Sequence, residues 1–222
     1  MTDESDGVLT WPAPARDAGE TQPVQHTVLE REVKLSVPDL DVVRVRLQDL
    51  QAASTTARFV GTTHERNTVL DTPQDDLRAR DERLRIREIV ERPGVQVTWK
   101  GPASTKGGVR RREEREFHAD DSGACIAVLS NLGLRPVRSY QKVRASWALD
   151  GVIVCLDSLP FGTFVEIEFT AATDEQQEEI VLERTIALLG LEDAPRVQAS
   201  YARLQQEWDG QNGLGTSKKR RQ

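Results

Sequence analysis

The chain is poor in cysteine, with only Cys125 and Cys155 among 222 residues. They lie far apart and outside any Cys-x-x-Cys or Cys/His spacing, so neither a disulfide framework nor a thiolate zinc site is indicated, and a reducing cytoplasm fits best. The sequence also lacks an apolar run of membrane-spanning length. Its start, "MTDESDGVLTWPAPARDAGE", is acidic where a signal peptide would be basic and then apolar, so no membrane partner is expected. Positive charge is in deficit: 30 Lys and Arg stand against 36 Asp and Glu, and the net charge of −6 argues against a nucleic-acid partner. The three histidines, His26, His64 and His118, show no ligand spacing. "GPASTKGG" lacks the spacing of a phosphate-binding loop and reads as a flexible hairpin loop. Aromatic residues make up only 5% of the chain and charged ones 30%, so charge in this modest-cored protein must do more than solvate the surface.

At this length one domain with tails is expected. Residues 1–26 are rich in Pro, Gly, Asp and Thr, and 209–222 end in "KKRRQ". Both compositions predict disorder, leaving an ordered domain over 27–208. Helical spacing of Leu40, Val43, Leu47 and Leu50 predicts an amphipathic helix after Pro38 and Asp39. Further helices are expected in "SGACIAVLSNLGL", "TDEQQEEIVLERTIALLG" and "RVQASYARLQQEW". Strands are expected over 28–36, 57–70, 83–91, 94–101, 109–118, 137–149, 152–158 and 163–170, with turns at "ERPGV", "LDGV" and "LPFGT". Eight strands and few helices define an α+β domain on a largely antiparallel sheet or barrel.

Charge recurs at every second position along these strands. In an extended segment Glu30, Glu32 and Lys34 share one face and Leu29, Arg31, Val33 and Leu35 the other. Arg83, Arg85 and Arg87 repeat the pattern, as do Arg110, Arg112, Glu114 and Glu116, then Lys142 and Arg144, then Glu166 and Glu168; Lys100 and Asp157 each close a strand. One such strand is an ordinary solvated face. A set of them, each backed by apolar residues fit to pack against helices, places the charge inside a hydrated lumen made by closing the sheet. Paired carboxylates in a lumen repel one another, and a hard divalent cation such as Mg²⁺ or Mn²⁺ answers that repulsion. Opposing Arg and Lys clamp phosphate oxygens, Arg with bidentate forks. A metal with several cations in one tunnel is suited to phosphoryl transfer on a polyphosphate.

The sequence resembles the CYTH domain, the fold of the triphosphate tunnel metalloenzymes. "LEREVKL" resembles the Glu-x-Glu-x-Lys signature, and the likeness continues through "LDTPQDDLRARDERLRIRE", "TWKGP", "RREERE", "QKVRASW", "LDSLPFGTFVEIE" and "SYARL", over about residues 28 to 205. It departs at "NTVLDTP", where Val69 and Leu70 stand in place of the aromatic residues that members often carry. The resemblance implies an eight-stranded antiparallel closed β-barrel with helices packed outside. It implies catalytic roles for Glu30, Glu32 and Lys34, and a triphosphate clamp of Lys34, Arg85, Arg87, Lys100, Arg112, Lys142 and Arg144. Metal ligation would fall among Glu30, Glu32, Glu114, Glu116, Asp157, Glu166 and Glu168.

The expected activity is metal-dependent hydrolysis of a triphosphate, inorganic or organic. The family also includes class IV adenylyl cyclases, which convert ATP to cyclic AMP and pyrophosphate, and a polyphosphate-binding module without turnover is the third reading. No segment announces a purine or thiamine pocket, and the oligomeric state is left open. Arg58 and Arg66 are further strand arginines with reach to a tunnel mouth.

Overall fold

The computed structural model describes residues 27–53, 57–170 and 174–213. Eight antiparallel strands close into a barrel in the order β1-β5-β4-β3-β2-β6-β7-β8. They are β1 (Thr27–Ser36), β2 (Ala57–Asp71), β3 (Arg83–Ile89), β4 (Val95–Lys106), β5 (Val109–Ala119), β6 (Arg135–Leu149), β7 (Val152–Leu159) and β8 (Gly162–Phe169). The helices are α1 (Leu40–Ala53), α2 (Asp76–Ala79), α3 (Ser122–Asn131), α4 (Glu175–Leu189) and α5 (Tyr201–Gln211). Among the described residues no helix is long and apolar enough to cross a membrane.

The alternation in the sequence becomes a division between outside and inside. Val33 and Leu35 of β1, Val154 and Leu156 of β7 and Val165 and Ile167 of β8 pack outward against Val43 and Leu47 of α1 and Leu182, Ile186 and Leu189 of α4. A second layer sets Leu70, Leu84, Ile86, Val95 and Val97 against Leu77 of α2 and Cys125, Ile126 and Leu129 of α3. Leu47 and Leu189 are fully enclosed, so truncating either to alanine would cost about 2–5 kcal/mol. Because apolar residues occupy the outward positions, the charged set between them faces the lumen. One outward pair is ionic instead: Arg31 of β1 and Arg111 of β5 both clasp the buried Glu178 of α4, and so tie that helix to the barrel.

Caps fix the helices where polar residues precede the apolar runs. Asp121, Asp174 and Ser200 accept from the backbone N–H of Ala124, Gln177 and Arg203, and α4 stops at Gly190, which adopts φ 62°. Three expectations are corrected. Part of "GPASTKGG" is strand: β4 continues to Lys106 beyond a register shift between Lys100 and Ala103, where Pro102 need not donate to a ladder, and only Gly107 and Gly108 turn. The last helix starts at Tyr201 rather than near Arg196, because Arg196 bridges to Leu35 and the Val197 N–H donates to the Lys34 carbonyl at 2.8 Å. The same helix runs on to Gln211, past the boundary set at 208. Residues 1–26 and 214–222, most of the two expected tails, lie outside the described residues, as does His26.

Candidate active site

The lumen holds a cavity of about 230 Å³ with nine basic and six acidic side chains on its lining. That surplus of cations suits an anionic ligand. The six carboxylates, Glu30, Glu32, Glu114, Glu116, Glu166 and Glu168, all come from β8, β1 and β5, which are neighbours in the barrel. Register makes the crowding concrete, since Glu32 stands opposite Glu168 and Lys34 opposite Glu166. Oxygens of Glu32, Glu166 and Glu168 all lie within 4.8 Å of one another.

The crowding shows in the titration of this wall. Burial and the neighbouring Glu166 raise Glu32 to about 7. Burial also raises Glu30, although Lys100 Nζ lies 2.9 Å from its carboxylate and pulls the other way. Glu166 behaves oppositely: burial would raise it, but Lys34, Arg144 and Lys142 hold it well below the usual carboxylate range. Lys34 is the reciprocal case, in which burial disfavours the ammonium but Glu166 at 3.1 Å and Glu32 leave its pKa raised. Lys100 reaches both Glu30 and Glu114, while Glu116 accepts from Gln96 at 2.9 Å.

Across the lumen the basic wall is built on β3 and β6, with β2 between them. Two buried carboxylates hold it in place. Asp157, fully enclosed, accepts from Lys142 at 3.1 Å, from Arg144 Nε and Nη2 at 2.7 and 2.6 Å, and from the Tyr201 hydroxyl at 2.8 Å. Glu65 meets Arg87 at 3.1 Å and Lys142 at 3.6 Å. Burial would raise Glu65, but Lys142, Arg87 and Arg144 bring it down to about 2. Arg144 also reaches Glu168 at 2.8 Å and contacts Glu166, so it joins the two walls.

Several donors on the lumen side remain open. Arg85 Nε, Arg112 Nε and Nη1 and Asn67 Nδ2 are buried without a hydrogen-bond partner. Arg112 is aimed by its Nη2, which donates to the Asp81 carboxylate at 2.7 Å and carbonyl at 2.9 Å. Buried guanidinium donors facing a polar cavity are costly unless a ligand meets them.

The segment before α5 seals one side of this site. Lys34 Nζ donates to the Ala199 carbonyl at 3.3 Å, and the Tyr201 ring lies 4.2 Å from Lys34 Nζ and 5.2 Å from Lys142 Nζ. Burial, Glu166 and Asp157 raise the Tyr201 hydroxyl well above its usual value. Its ring packs with Val69, Tyr140, Leu159 and Phe164.

Every expected site residue except Asp157 lines the cavity. Asp157 sits behind Lys142 and Arg144, with its oxygens already occupied by protein donors. The sequence reading left Arg83, Arg110, Tyr140, Glu65, Asp81 and Tyr201 out of the site. Arg83, Arg110 and Tyr140 lie in phase with the charged alternation and were recoverable from it. Glu65 belongs to a strand whose inward run continues with Asn67 and Val69, and Tyr201 comes from a helix, so periodicity pointed to neither. Arg58 and Arg66 are exposed and line none of this cavity. His64 pairs with Glu91 on the exposed side, and His118 is exposed.

Such a charged lumen in a closed eight-stranded barrel defines a tunnel whose basic residues face a carboxylate cluster. The CYTH domain family model matches residues 29–201, and the chain belongs to that family. No curated protein matched the sequence. Among solved structures, a Pyrococcus horikoshii protein is 24% identical with a TM-score of 0.65, covering 79% of this chain and 98% of its own. A Vibrio parahaemolyticus protein provisionally assigned as an adenylate cyclase is 21% identical with a TM-score of 0.65, covering 80% and 97%. A Hippeastrum protein, first taken for an adenylyl cyclase and reported with a dominant triphosphatase activity, is 21% identical with a TM-score of 0.62, covering 83% and 96%. At these identities the likenesses establish the fold.

Proposed function

We propose that the protein is a divalent-metal-dependent triphosphatase that hydrolyses inorganic tripolyphosphate or an organic triphosphate inside the barrel. The observation that carries this reading is the pairing of a repelling carboxylate cluster with buried, unpartnered guanidinium donors across one lumen. Lys34, Arg85, Arg87, Lys100, Arg112, Lys142 and Arg144 hold the phosphate chain in this reading. Asp157 and Glu65 position the Lys142, Arg144 and Arg87 groups.

The donor set suits a hard cation: three carboxylates converge, and burial together with Glu166 raises the pKa of Glu32, a cost that a cation would relieve. Glu32, Glu166 and Glu168 would hold Mg²⁺ or Mn²⁺, while Glu30 and Glu114 contact Lys100 and Glu116 contacts Gln96. A bound divalent ion supplies charge neutralisation at the phosphate oxygens. Glu30 or Glu32 orients the water that attacks the terminal phosphorus and takes up the proton that this water loses. The new P–O bond forms as the bridging P–O bond breaks, the departing diphosphate end takes the electron pair, and the clamp cations meet its charge. Rate enhancement then rests on positioning and electrostatics, without a covalent protein intermediate.

An adenylyl cyclase would have to aim a ribose hydroxyl at the α-phosphorus, which needs contacts to the nucleoside. The Hippeastrum neighbour, with its dominant triphosphatase activity, favours hydrolysis between the two. The test is product-resolved turnover of tripolyphosphate, ATP and thiamine triphosphate with Mg²⁺ and with Mn²⁺. Phosphate and pyrophosphate from tripolyphosphate, formed faster than any product from ATP, support the proposal. Cyclic AMP with pyrophosphate as the main ATP products would overturn it, and tight binding without turnover by either metal would leave a binding module.

A further inference from the structure

We infer that the substrate carries a fourth phosphoryl group, continuous with the three held between the walls, and that it sits at Arg83 where the tunnel opens toward α5. This inference rests on the triphosphatase reading and extends its substrate from a chain of three phosphoryl groups to one of four. The first argument is length. Arg83, Arg85 and Arg87 all line the lumen from one face of β3, and at a rise of about 3.3 Å per residue their Cα atoms span about 13 Å. Three phosphoryl groups joined by two bridging oxygens are shorter than that ladder, so one end of it extends past a triphosphate.

The second argument is the state of that end. Arg87 is met by Glu65 at 3.1 Å and by Asn67 at 3.3 Å. Arg83 makes no hydrogen bond or ion pair among the described residues. Burial and the guanidinium groups of Arg112 and Arg110 draw its pKa down to about 10. Arg112 is met by Asp81 at 2.7 Å and Arg110 by Glu32 at 3.9 Å, whereas Arg83 faces both guanidinium groups with no carboxylate of its own, a place for an anion that the chain does not itself supply.

The third argument is what lies beyond. A second cavity of about 210 Å³ shares Val69, Arg83, Ser200 and Ala202 with the tunnel and adds Arg78, Arg138 and Arg203. Its carboxylates are already committed. Asp71 accepts from the backbone N–H of Thr72, Leu77 and Arg78, Asp81 serves Arg112 and the Ala103 N–H, and Glu82 pairs with Arg80. Its added arginines are paired too, Arg78 and Arg138 with Asp75 at 3.7 Å and Arg203 with Glu207 at 2.8 Å, which leaves Arg83 as the cation in this cavity without a partner among the described residues. Among the described residues no aromatic ring lines this cavity, so it offers no stacking platform for a purine. A further phosphoryl group needs no such platform and meets Arg83.

The test is calorimetric titration of the protein in chelator with tripolyphosphate and with tetrapolyphosphate, using wild type, Arg83→Gln and Arg87→Gln. Wild type should bind tetrapolyphosphate about tenfold or more tightly than tripolyphosphate, the size of one charge-assisted contact. Arg83→Gln should bring the two ligands to nearly equal affinity, whereas Arg87→Gln should weaken both and keep their ratio. A melting curve for each variant verifies that it is folded. In wild type alone, ATP and thiamine triphosphate, with a neutral and a cationic group beyond the third phosphate, should bind more weakly than tripolyphosphate. Equal affinities for the two inorganic chains in wild type would overturn the inference. So would a tetrapolyphosphate gain that survives Arg83→Gln, which would mark general attraction for extra charge. Failure of wild type to bind or cleave tripolyphosphate would overturn the triphosphatase reading and this inference with it, and that result is distinct from equal affinities.

Discussion

Two buried glutamates face each other across the chemistry of this barrel and titrate at opposite extremes. Glu32, on the acidic wall, is raised to about 7 by burial and by Glu166. Glu65, on the basic wall, is held near 2 because Lys142, Arg87 and Arg144 more than offset its burial. The residue type is the same and both are enclosed, so the difference lies in the company that each strand brings. Glu65 is a counter-ion built into the fold, and its charge is spoken for before any ligand arrives. Glu32 has no such matched set: burial, Glu166 and Glu30 outweigh the lowering by Lys34 and Lys100. The basic wall thus carries built-in counter-ions for Lys142, Arg144 and Arg87 while Arg85 keeps an open donor for a ligand, and in the proposed reading a cation completes the acidic wall.

The strongest way to break this comparison is Glu32→Gln. The variant keeps the shape but removes one of three converging carboxylates, so metal-dependent turnover should fall by about 10²–10³-fold, the scale seen when a transition-state charge contact is lost. Stability without metal should hold or rise, because the charge removed was being repelled by Glu166. Steady-state rates with Mg²⁺ and Mn²⁺, paired with melting curves in chelator, read both effects. Full activity would show that the acidic wall is a solvated face.

Glu65→Gln should do the reverse, with its effect on stability. The folded pKa lies below the ordinary value of 4.5, so the ionised group stabilises the fold above pH 4.5, and that stability is lost as pH falls toward 2. A displacement from 4.5 to about 2 corresponds to about 3 kcal/mol at neutral pH. Urea unfolding at pH 7 should therefore show the variant about 3 kcal/mol less stable than wild type, and the gap should close between pH 4.5 and 2. A gap that is constant with pH would mean that Glu65 acts through packing rather than charge.

How far the sequence disclosed these two walls depended on which elements carry them. Glu30, Glu32 and Lys34 announce an inward face because each alternates with an apolar neighbour that packs outward on a helix. The same logic yields the β3, β5, β6 and β8 sets, and with them the closed barrel. Glu65 escaped because its strand continues inward with the neutral Asn67 and apolar Val69, so one charge stood without a series. Asp157 was placed in the lumen by its phase, but its ligation by Lys142, Arg144 and Tyr201 depends on β6, β7 and α5 meeting in space. Asp81 lies in the short connection before β3, at φ 55°, where no period applies at all. Faces of strands are local properties, while the partners that neutralise them are set by tertiary contact.

The smallest expected effect, and the finest probe of the comparison, is Tyr201→Phe. The phenylalanine ring can keep the packing against Val69, Tyr140 and Phe164 and the approach to Lys34 and Lys142. Only the hydroxyl is lost, and with it one of the donors to Asp157, which retains Lys142 and both Arg144 contacts. If the basic wall is over-determined, losing one neutral contact should cost about 1 kcal/mol, near the net contribution of an ordinary hydrogen bond. That cost should appear as a roughly fivefold rise in KM with kcat held, since the hydroxyl acts on clamp residues through Asp157 and touches no reacting atom. Melting temperature should drop by only a few degrees. A fall in kcat on the scale of Glu32→Gln would place the hydroxyl among the reacting groups. The wall assigned to holding would then share the chemistry, and the division between a holding wall and a reacting wall would have to be redrawn around α5.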